Sequence, residues 1–256
     1  YLLTKREKEN LRIVTKYFDE VAVLLNVSNI IDMSWTKDAA YQDHIKAIFY
    51  IWQGGMEGAN AVADLLSGRV TPSGKLTDTS AEKLSDYPVA DHFGSKTENI
   101  YAEDIYVGYR YFDSFGAELR WPFGYGLSYT KFTYSNLTLS GDTVFVTVKN
   151  TGSIAGAEIV QLYVEAPQNS LHRPVRELKG FQKLFLQPNE SREAVFRLSD
   201  RSFAVWQDGW KIPVGQYTVS IGGLTAPVIK HGETLPVPAW QRGSWYQSCA
   251  GKPNKK

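Results

Sequence analysis

Two residues near the first apolar run of the chain have side chains that could bind a sugar. Asp32 and Trp35 lie in the segment NVSNIIDMSW, which follows the apolar run Val21–Leu25. Loops after parallel strands line the ligand crevice of α/β domains, so both residues are candidates for the rim of a substrate cleft. For Asp32 we favour a hydrogen bond that stabilises the loop. For Trp35 we weigh stacking on a sugar ring equally against packing in the core.

Three further acidic residues are candidates for catalysis. Glu57 begins a predicted helix over residues 57–66, where the helix dipole stabilises a carboxylate. Glu103 and Asp104 precede an aromatic segment, and an ion pair with Arg110 or with a neighbouring domain accounts for them. No two of these acids have a spacing that forces their side chains together. We therefore assign no catalytic residue to this chain.

A glycine-rich turn lies between a predicted strand and the helix over residues 57–66. Its residues Gln53, Gly54, Gly55 and Gly58 occupy the position of a phosphate-binding loop, because such loops precede helix N-termini. The lysine of a P-loop and the dinucleotide-binding spacing are both missing. We expect the glycines to let helix and strand pack closely. Trp52, at the end of the strand, is expected to pack in the core.

Composition excludes several classes of function. The chain has 256 residues, a net charge of +1 and 13% aromatic residues. This balance gives no electrostatic reason to expect nucleic acid or an anionic membrane as a partner. The one cysteine, Cys249, cannot form an internal disulfide framework, and the four histidines have no metal-ligand spacing. We predict no metal and no cofactor. The chain does not begin with methionine, and we expect the gene product to begin earlier.

Residues 1–80 have the pattern of an α/β unit. Thr4 and Glu7 form a T-x-x-E capping box that opens a helix. Continuous apolar runs at Val21–Leu25 and residues 45–52 are typical of parallel strands buried on both faces. Two strands and two helices cannot cover both faces of such a sheet. We therefore expect further strands of this domain to be supplied by other polypeptide.

An aromatic segment over residues 101–129 connects this unit to the rest of the chain. Its first half, over residues 105–112, alternates with period 2 and has apolar groups on both sides, which predicts an extended segment covered on two faces. The sequence PFGYG at residues 122–126 predicts a turn, because proline fixes φ and glycine allows positive φ. We interpret residues 81–131 as an irregular connecting strap.

The remaining sequence has strand periodicity. Alternating apolar residues begin at residue 132 and recur at 144–148, 159–164, 181–186, 193–198 and 217–221, with turn signals between them. Five or more short strands without a helix predict a β-sandwich of the fibronectin type III or immunoglobulin kind over residues 132–223. Residues 224–256, with Pro236, Pro238 and Pro253, are predicted to form an extended tail.

Several long motifs carry a family resemblance. The segments YAEDIYVGYRYFD, PFGYGLSYTKF, LLNVSNIIDMSW and YIWQGGMEGANAVADLLSGRVTPSGKL, with TVKNTGSIAGAEIVQLYVEAP in the sandwich, resemble the carboxyl-terminal half of family 3 glycoside hydrolases. The resemblance spans residues 11–223. It implies an α/β-plus-all-β fold, in which the end of an α/β sandwich domain, with parallel strands and helices, precedes a fibronectin III-like β-sandwich. Ser28 replaces an expected glycine, which affects only the local loop shape.

The resemblance also implies a function. Family 3 enzymes hydrolyse β-glycosides with retention, which requires two carboxyl groups about 5 Å apart. In the family these lie on a (β/α)8 barrel and just upstream of the region seen here, and neither motif is present in this chain. We therefore expect a scaffold and cleft rim for a β-glucosidase. Its partners are a β-linked glucoside or oligosaccharide and the missing barrel and strands, in cis or as a second chain. The alternatives are a β-xylosidase and a non-catalytic carbohydrate- or protein-binding module.

Overall fold

The amino-terminal part of the molecule is an α/β unit built around two parallel strands. The computed structural model describes residues 2–92, 94–167 and 172–236. Val21 lies opposite Ile45 and Leu25 opposite Tyr50 in the parallel pair. The predicted order of helix, strand, strand and helix is confirmed, with α1 (Lys5–Tyr17), β1 (Val21–Leu25), β2 (Ile45–Tyr50) and α2 (Gly58–Leu66).

The ends of the two helices follow from their local sequence. The backbone N–H of Glu7 donates to Oγ1 of Thr4 at 3.2 Å, and the N–H of Thr4 donates to Oε2 of Glu7 at 2.7 Å, so the predicted capping box is confirmed. Gly68 has a φ of 72°, the left-handed conformation that a glycine supplies after a helix. In the ranges that the structure describes, no helix has the length and apolar character needed to cross a bilayer.

The two-stranded sheet is incompletely covered. Every residue of α2 is at least partly exposed, and Leu24 in the middle of β1 is 38% exposed. Only Leu25 of β1 is buried, and β2 has no buried residue. Parallel sheets are normally covered on both faces. Within the described residues, this unit therefore buries less apolar surface than its apolar runs predict.

The strap differs from its predicted extended form. A short helix, α3 (Tyr109–Phe115), occupies the second half of the predicted extended segment, bounded by Gly108 and Gly116 with φ of 58° and 62°. Phe112 of this helix is buried. The prediction over residues 105–112 is therefore wrong for its helical half. When apolar residues lie on both sides of a segment, alternation cannot separate a period of 2 from a period of 3.6.

Short antiparallel strands before and after α3 hold the strap in place. β3 (Ser80–Ala81) pairs with β4 (Leu119–Trp121). The predicted turn at residues 122–126 is confirmed, since the N–H of Tyr125 donates to the carbonyl of Pro122 at 3.1 Å. In the described residues, three 3-10 helices complete the helical elements, at Ser34–Lys37, Leu84–Asp86 and Asp200–Ser202.

The rest of the described chain is the predicted β-sandwich. Its strands are β5 (Phe132–Ser140), β6 (Thr143–Asn150), β7 (Gly156–Glu165), β8 (Arg176–Leu186), β9 (Ser191–Arg197), β10 (Val205–Trp206), β11 (Trp210–Ile212), β12 (Gly215–Ile221), β13 (Leu224–Lys230) and β14 (Glu233–Leu235). One sheet has the order β13-β12-β7-β8 and the facing sheet the order β5-β6-β9, while β10, β11 and β14 form a third small sheet.

The core of the sandwich consists of the inward-facing residues of both sheets. Alternate residues of β6 and β12 are buried, as the sequence periodicity predicts. The most completely buried side chains are Val144, Val146, Val148, Val160, Leu162, Leu186, Tyr217, Val219 and Ile221. This unit therefore has a continuous apolar interior of its own.

The sandwich extends beyond its predicted end at residue 223. Gly222 and Gly223, with φ of 56° and 86°, form a two-residue hairpin turn, so that Leu224 pairs with Ile221. Two consecutive residues with positive φ match the twist of flanking strands, which explains why the chain returns into the sheet as β13. Residues 224–235 are thus largely strand instead of the predicted tail. The rest of that predicted tail, residues 237–256 with Pro238, Cys249 and Pro253, lies outside the described residues.

Candidate functional site

Asp32 and Trp35, the two predicted cleft-rim residues, lie together beside one small cavity. The cavity has a volume of about 160 Å³, and the loop after β1 and the start of α1 form its walls. Asp38 and Tyr41 contribute further polar groups. The chain thus brings two carboxylates, a phenol and an indole to one place, on the carboxyl-terminal side of β1.

Asp32 has a structural role in its loop. Its Oδ1 accepts hydrogen bonds from the backbone N–H of Ser34, at 3.0 Å, and from the Ser34 hydroxyl. A carboxylate that accepts from the N–H two residues later forms an Asx turn, which here begins the 3-10 helix Ser34–Lys37. The predicted loop-stabilising hydrogen bond is therefore present. Asp32 is 6% exposed.

The ring of Trp35 is packed in the small core of the α/β unit. Trp35 is 5% exposed and belongs to a cluster with Leu25, Met33 and Tyr41. Its indole Nε1–H is buried and has no hydrogen-bond partner in the described part of the chain. Buried polar groups are nearly always hydrogen-bonded, so this N–H is an exception among the described residues.

Sequence reasoning missed Asp38 and Tyr41. Tyr41 is fully buried, and its burial, together with the negative charge and hydrogen bond of Asp38, raises the pKa of the phenol. Oδ1 of Asp38 also accepts from the N–H of Ala40 at 2.9 Å. No motif distinguishes these residues, because their proximity to Asp32 arises from the turns that follow the 3-10 helix.

A larger, mainly apolar groove lies along β2. It has a volume of about 1180 Å³ and is lined by β2, by the small residues of α2 and by residues 125–129. Trp52 lies on its wall with a φ of 51°, an unusual value for a bulky residue, and its ring packs 5.0 Å from that of Tyr50. Trp52 is half-buried, so it lines the groove instead of filling the core as predicted.

The remaining candidates have structural positions. Glu57 is exposed at the N-cap of α2. A Cβ on Gly54 would lie 2.9 Å from the Cα of Gly58, so the glycines allow close backbone packing between the turn and the start of α2, whereas the sequence predicts it between helix and strand. The predicted ion pair of Arg110 with Glu103 or Asp104 is replaced by one with Glu177, at 3.0 Å. Among the described residues, no group of three or more His, Cys, Asp or Glu side chains could hold a metal ion.

Comparison with known families accounts for most of the chain. The model of the Glycosyl hydrolase family 3 C-terminal domain matches residues 1–109, and that of the Fibronectin type III-like domain matches residues 158–225. The chain is 43% identical, over 235 residues, to a β-glucosidase of Ruminococcus albus, and the match covers 87% of this chain and 24% of that protein.

Solved structures give the same result. The chain superposes with a TM-score of 0.81 and 46% identity on a β-glucosidase from Paenibacillus barengoltzii, covering 90% of this chain and 27% of that one. For β-glucosidase 3B from Thermotoga neapolitana, in complex with α-D-glucose, the TM-score is 0.84 and the identity 36%, with 91% and 35% covered. The chain therefore spans between about a quarter and a third of the length of these relatives.

Proposed function

Because this chain belongs to the carboxyl-terminal region of glycosyl hydrolase family 3, we propose that it is part of a retaining β-glucosidase. In this proposal it supplies the end of the α/β domain and the fibronectin III-like domain. The two catalytic carboxylates, which retention requires about 5 Å apart, come from polypeptide outside these 256 residues. The substrate is a terminal β-D-glucoside, as the names of the matched relatives suggest.

The observation that carries this proposal is the open parallel sheet. Within the described residues β1 and β2 pair only with each other, α2 has no buried residue, and an apolar groove of about 1180 Å³ runs along β2. A sheet of this kind gains stability when further strands and helices cover it. We propose that the barrel-bearing polypeptide, in cis or as a second chain, covers it and so completes the active site.

Asp32 and Trp35 have a specific place in this proposal. Asp32 and Trp35 line the same small cavity, and the buried indole N–H of Trp35 has no hydrogen-bond partner in the described part of the chain. An acceptor and a donor at one site match the hydroxyl groups of a sugar, which both donate and accept hydrogen bonds. We propose that they form the rim of the glucoside cleft when the active site is complete, and that they do not take part in bond cleavage.

Complementation tests the assignment. The purified chain is assayed with an aryl β-glucoside, alone and with a polypeptide that carries the part of the Paenibacillus barengoltzii enzyme outside the matched region. We expect no turnover by the chain alone. With the second polypeptide we expect a complex in native mass spectrometry and glucoside hydrolysis. Turnover by the pure chain, or a mixture that neither associates nor hydrolyses the glucoside, contradicts the proposal.

Matched variants locate the contact and the rim. Leu24→Asp places a charge on the open sheet and should abolish association, whereas Ile229→Asp, on the exposed outer side of the sandwich, should leave it unchanged. Trp35→Phe removes the indole N–H and keeps an aromatic ring. In the assembled enzyme this variant should raise KM for the glucoside about tenfold, because one well-paired buried hydrogen bond to the substrate is lost. An unchanged KM removes Trp35 from the rim.

A further inference from the structure

A cluster of charged side chains joins the strap to the sandwich. Glu177, at the start of β8, is its only acidic member. Oε1 of Glu177 lies 3.0 Å from Nη2 of Arg110, and Oε2 lies 3.2 Å from Nη2 of Arg173 and 3.3 Å from Nζ of Lys179. We refer to these four residues as the Glu177 cluster.

The Glu177 cluster has more positive than negative charge. Three cations share one carboxylate, although the chain as a whole has a net charge of only +1. The neighbouring Arg176 does not alter this balance, because Asp113 pairs with it at 2.7 Å and the charge of Glu165 also acts on it. The segments outside the described residues contain no Asp or Glu in their sequence, so no acidic side chain of theirs can compensate the excess.

The excess charge is partly removed from water. The side chain of Arg173 is 5% exposed, those of Glu177 and Lys179 are nearly buried, and that of Arg110 is 37% exposed. Burial and the nearby guanidinium groups of Arg173 and Arg110 act against the charge of Lys179, and its pKa is lowered even though Glu177 attracts it. Charges that leave water need partners of opposite sign, and one carboxylate is insufficient for three cations.

Two features show where a second anion would bind. Arg110 is the most exposed member, and a guanidinium has five N–H donors, of which the ion pair with Glu177 uses one nitrogen. Arg173 has a buried Nε–H without a hydrogen-bond partner in the described part of the chain. An oxyanion that enters beside Arg110 would contact its guanidinium, approach Lys179 and compensate the remaining positive charge.

We propose that the Glu177 cluster is an oxyanion-binding site, in which Arg110 and Lys179 contact a carboxylate or phosphate group that approaches from solvent. Carboxylate and phosphate share the planar pairs of oxygens that a guanidinium contacts through two N–H groups. The site lies where the strap meets the sandwich, so an occupant links these two parts of the molecule. The proposal is independent of the glucosidase assignment and uses none of the residues assigned to the sugar cleft.

Isothermal titration calorimetry on the full chain tests this site. Inorganic phosphate and acetate are titrated at pH 7 and constant ionic strength, with chloride as the balancing anion. We expect saturable binding of one anion per chain. Lys179→Met, which keeps the length of the side chain, should weaken anion binding at least about tenfold, because it removes one charge-assisted hydrogen bond. Arg110→Gln, at a more exposed position, should have the same effect and serves if Lys179→Met does not fold.

The control is Arg192→Met, which removes the same charge from an exposed ion pair with Glu190 and should leave the affinity within about twofold. Tighter binding of phosphate would identify a free phosphorylated ligand as the source of the oxyanion. Tighter binding of acetate would identify an acidic side chain of adjoining polypeptide as that source. Heat that does not saturate with either anion overturns the proposal. Equal affinity in wild type, Lys179→Met and Arg110→Gln overturns it as well.

Discussion

Replacing Lys75 by methionine should destabilise the junction between the α/β unit and the sandwich. The Lys75 ammonium lies 3.1 Å from Oε2 of Glu158 and donates to the carbonyl of Gly126 at 2.8 Å, while Tyr134 donates to Oε1 of Glu158 at 2.8 Å. Both charged side chains are nearly buried. Lys75→Met leaves the Glu158 carboxylate with one hydrogen bond and no cation. Removal of one partner of a buried pair costs about 3–5 kcal/mol, and the remaining bond to Tyr134 favours the lower value, about 3 kcal/mol.

Urea unfolding at pH 7 measures this loss, and a double-mutant cycle isolates the pair. Lys75→Met and Glu158→Gln should each be destabilising, whereas the double variant should be more stable than the sum of the two losses predicts, by at least about 1.5 kcal/mol. The control Arg192→Met breaks the exposed pair with Glu190 and should cost no more than about 1 kcal/mol. If Lys75→Met unfolds within about 0.5 kcal/mol of wild type, the pair does not stabilise the junction.

Three further variants test other parts of the fold. Gln182 donates to the carbonyl of Val195 at 2.6 Å and accepts from its N–H at 3.3 Å, which blocks the free edge of β9. Gln182→Ala should therefore increase association in light scattering. Gly222→Ala should cost at least about 2 kcal/mol in urea unfolding, because its φ is 56° and the new Cβ would lie 2.5 Å from the ring of Tyr134. Burial opposes ionisation of Glu177, yet Lys179 and Arg110 hold its pKa below the usual value. The stabilisation that ionised Glu177 contributes is present above the unfolded pKa of about 4.5 and is lost as pH falls through the lower folded pKa. Below pH 4.5 the wild type should therefore lose stability faster than Glu177→Gln.

Sequence pattern was sufficient where one face of an element is apolar and the other polar. The alternation in β6 and β12 predicted both strands and their buried residues, and β1 was predicted to the residue. The capping box of Thr4 and Glu7 located the start of α1. In each case a local physical rule, either side-chain periodicity or backbone hydrogen bonding, acts within a few residues and does not depend on distant contacts.

The sequence failed where tertiary contacts decide the structure. α3 forms where the sequence has apolar groups on both sides, and its position depends on packing against β8, where the N–H of Leu178 donates to the hydroxyl of Tyr109 at 2.8 Å. The candidate site was also only partly predicted, because tertiary structure decides which residues meet there. Asp32 and Trp35 were identified from their loop, but Asp38 and Tyr41 reach the same cavity through turns that leave no pattern in the sequence. The partner of Arg110 was missed because Glu177 lies 67 positions further along the chain.

The two units of the chain differ in how they are stabilised, and this difference bears on function. The sandwich buries a complete apolar core between its sheets. The α/β unit has a core of four buried side chains and an open groove along β2, and it depends on polar links to the sandwich. Two of these are the Lys75–Glu158 pair and the bond from Thr71 to the carbonyl of Ala155, at 2.9 Å. Because this unit is bonded to the sandwich on one side and exposed on the other, further strands can pair with its sheet without displacing it from the sandwich. The cavity of Asp32 and Trp35 belongs to this unit, so under the proposed function the polypeptide that covers the sheet would also bring the substrate to these side chains.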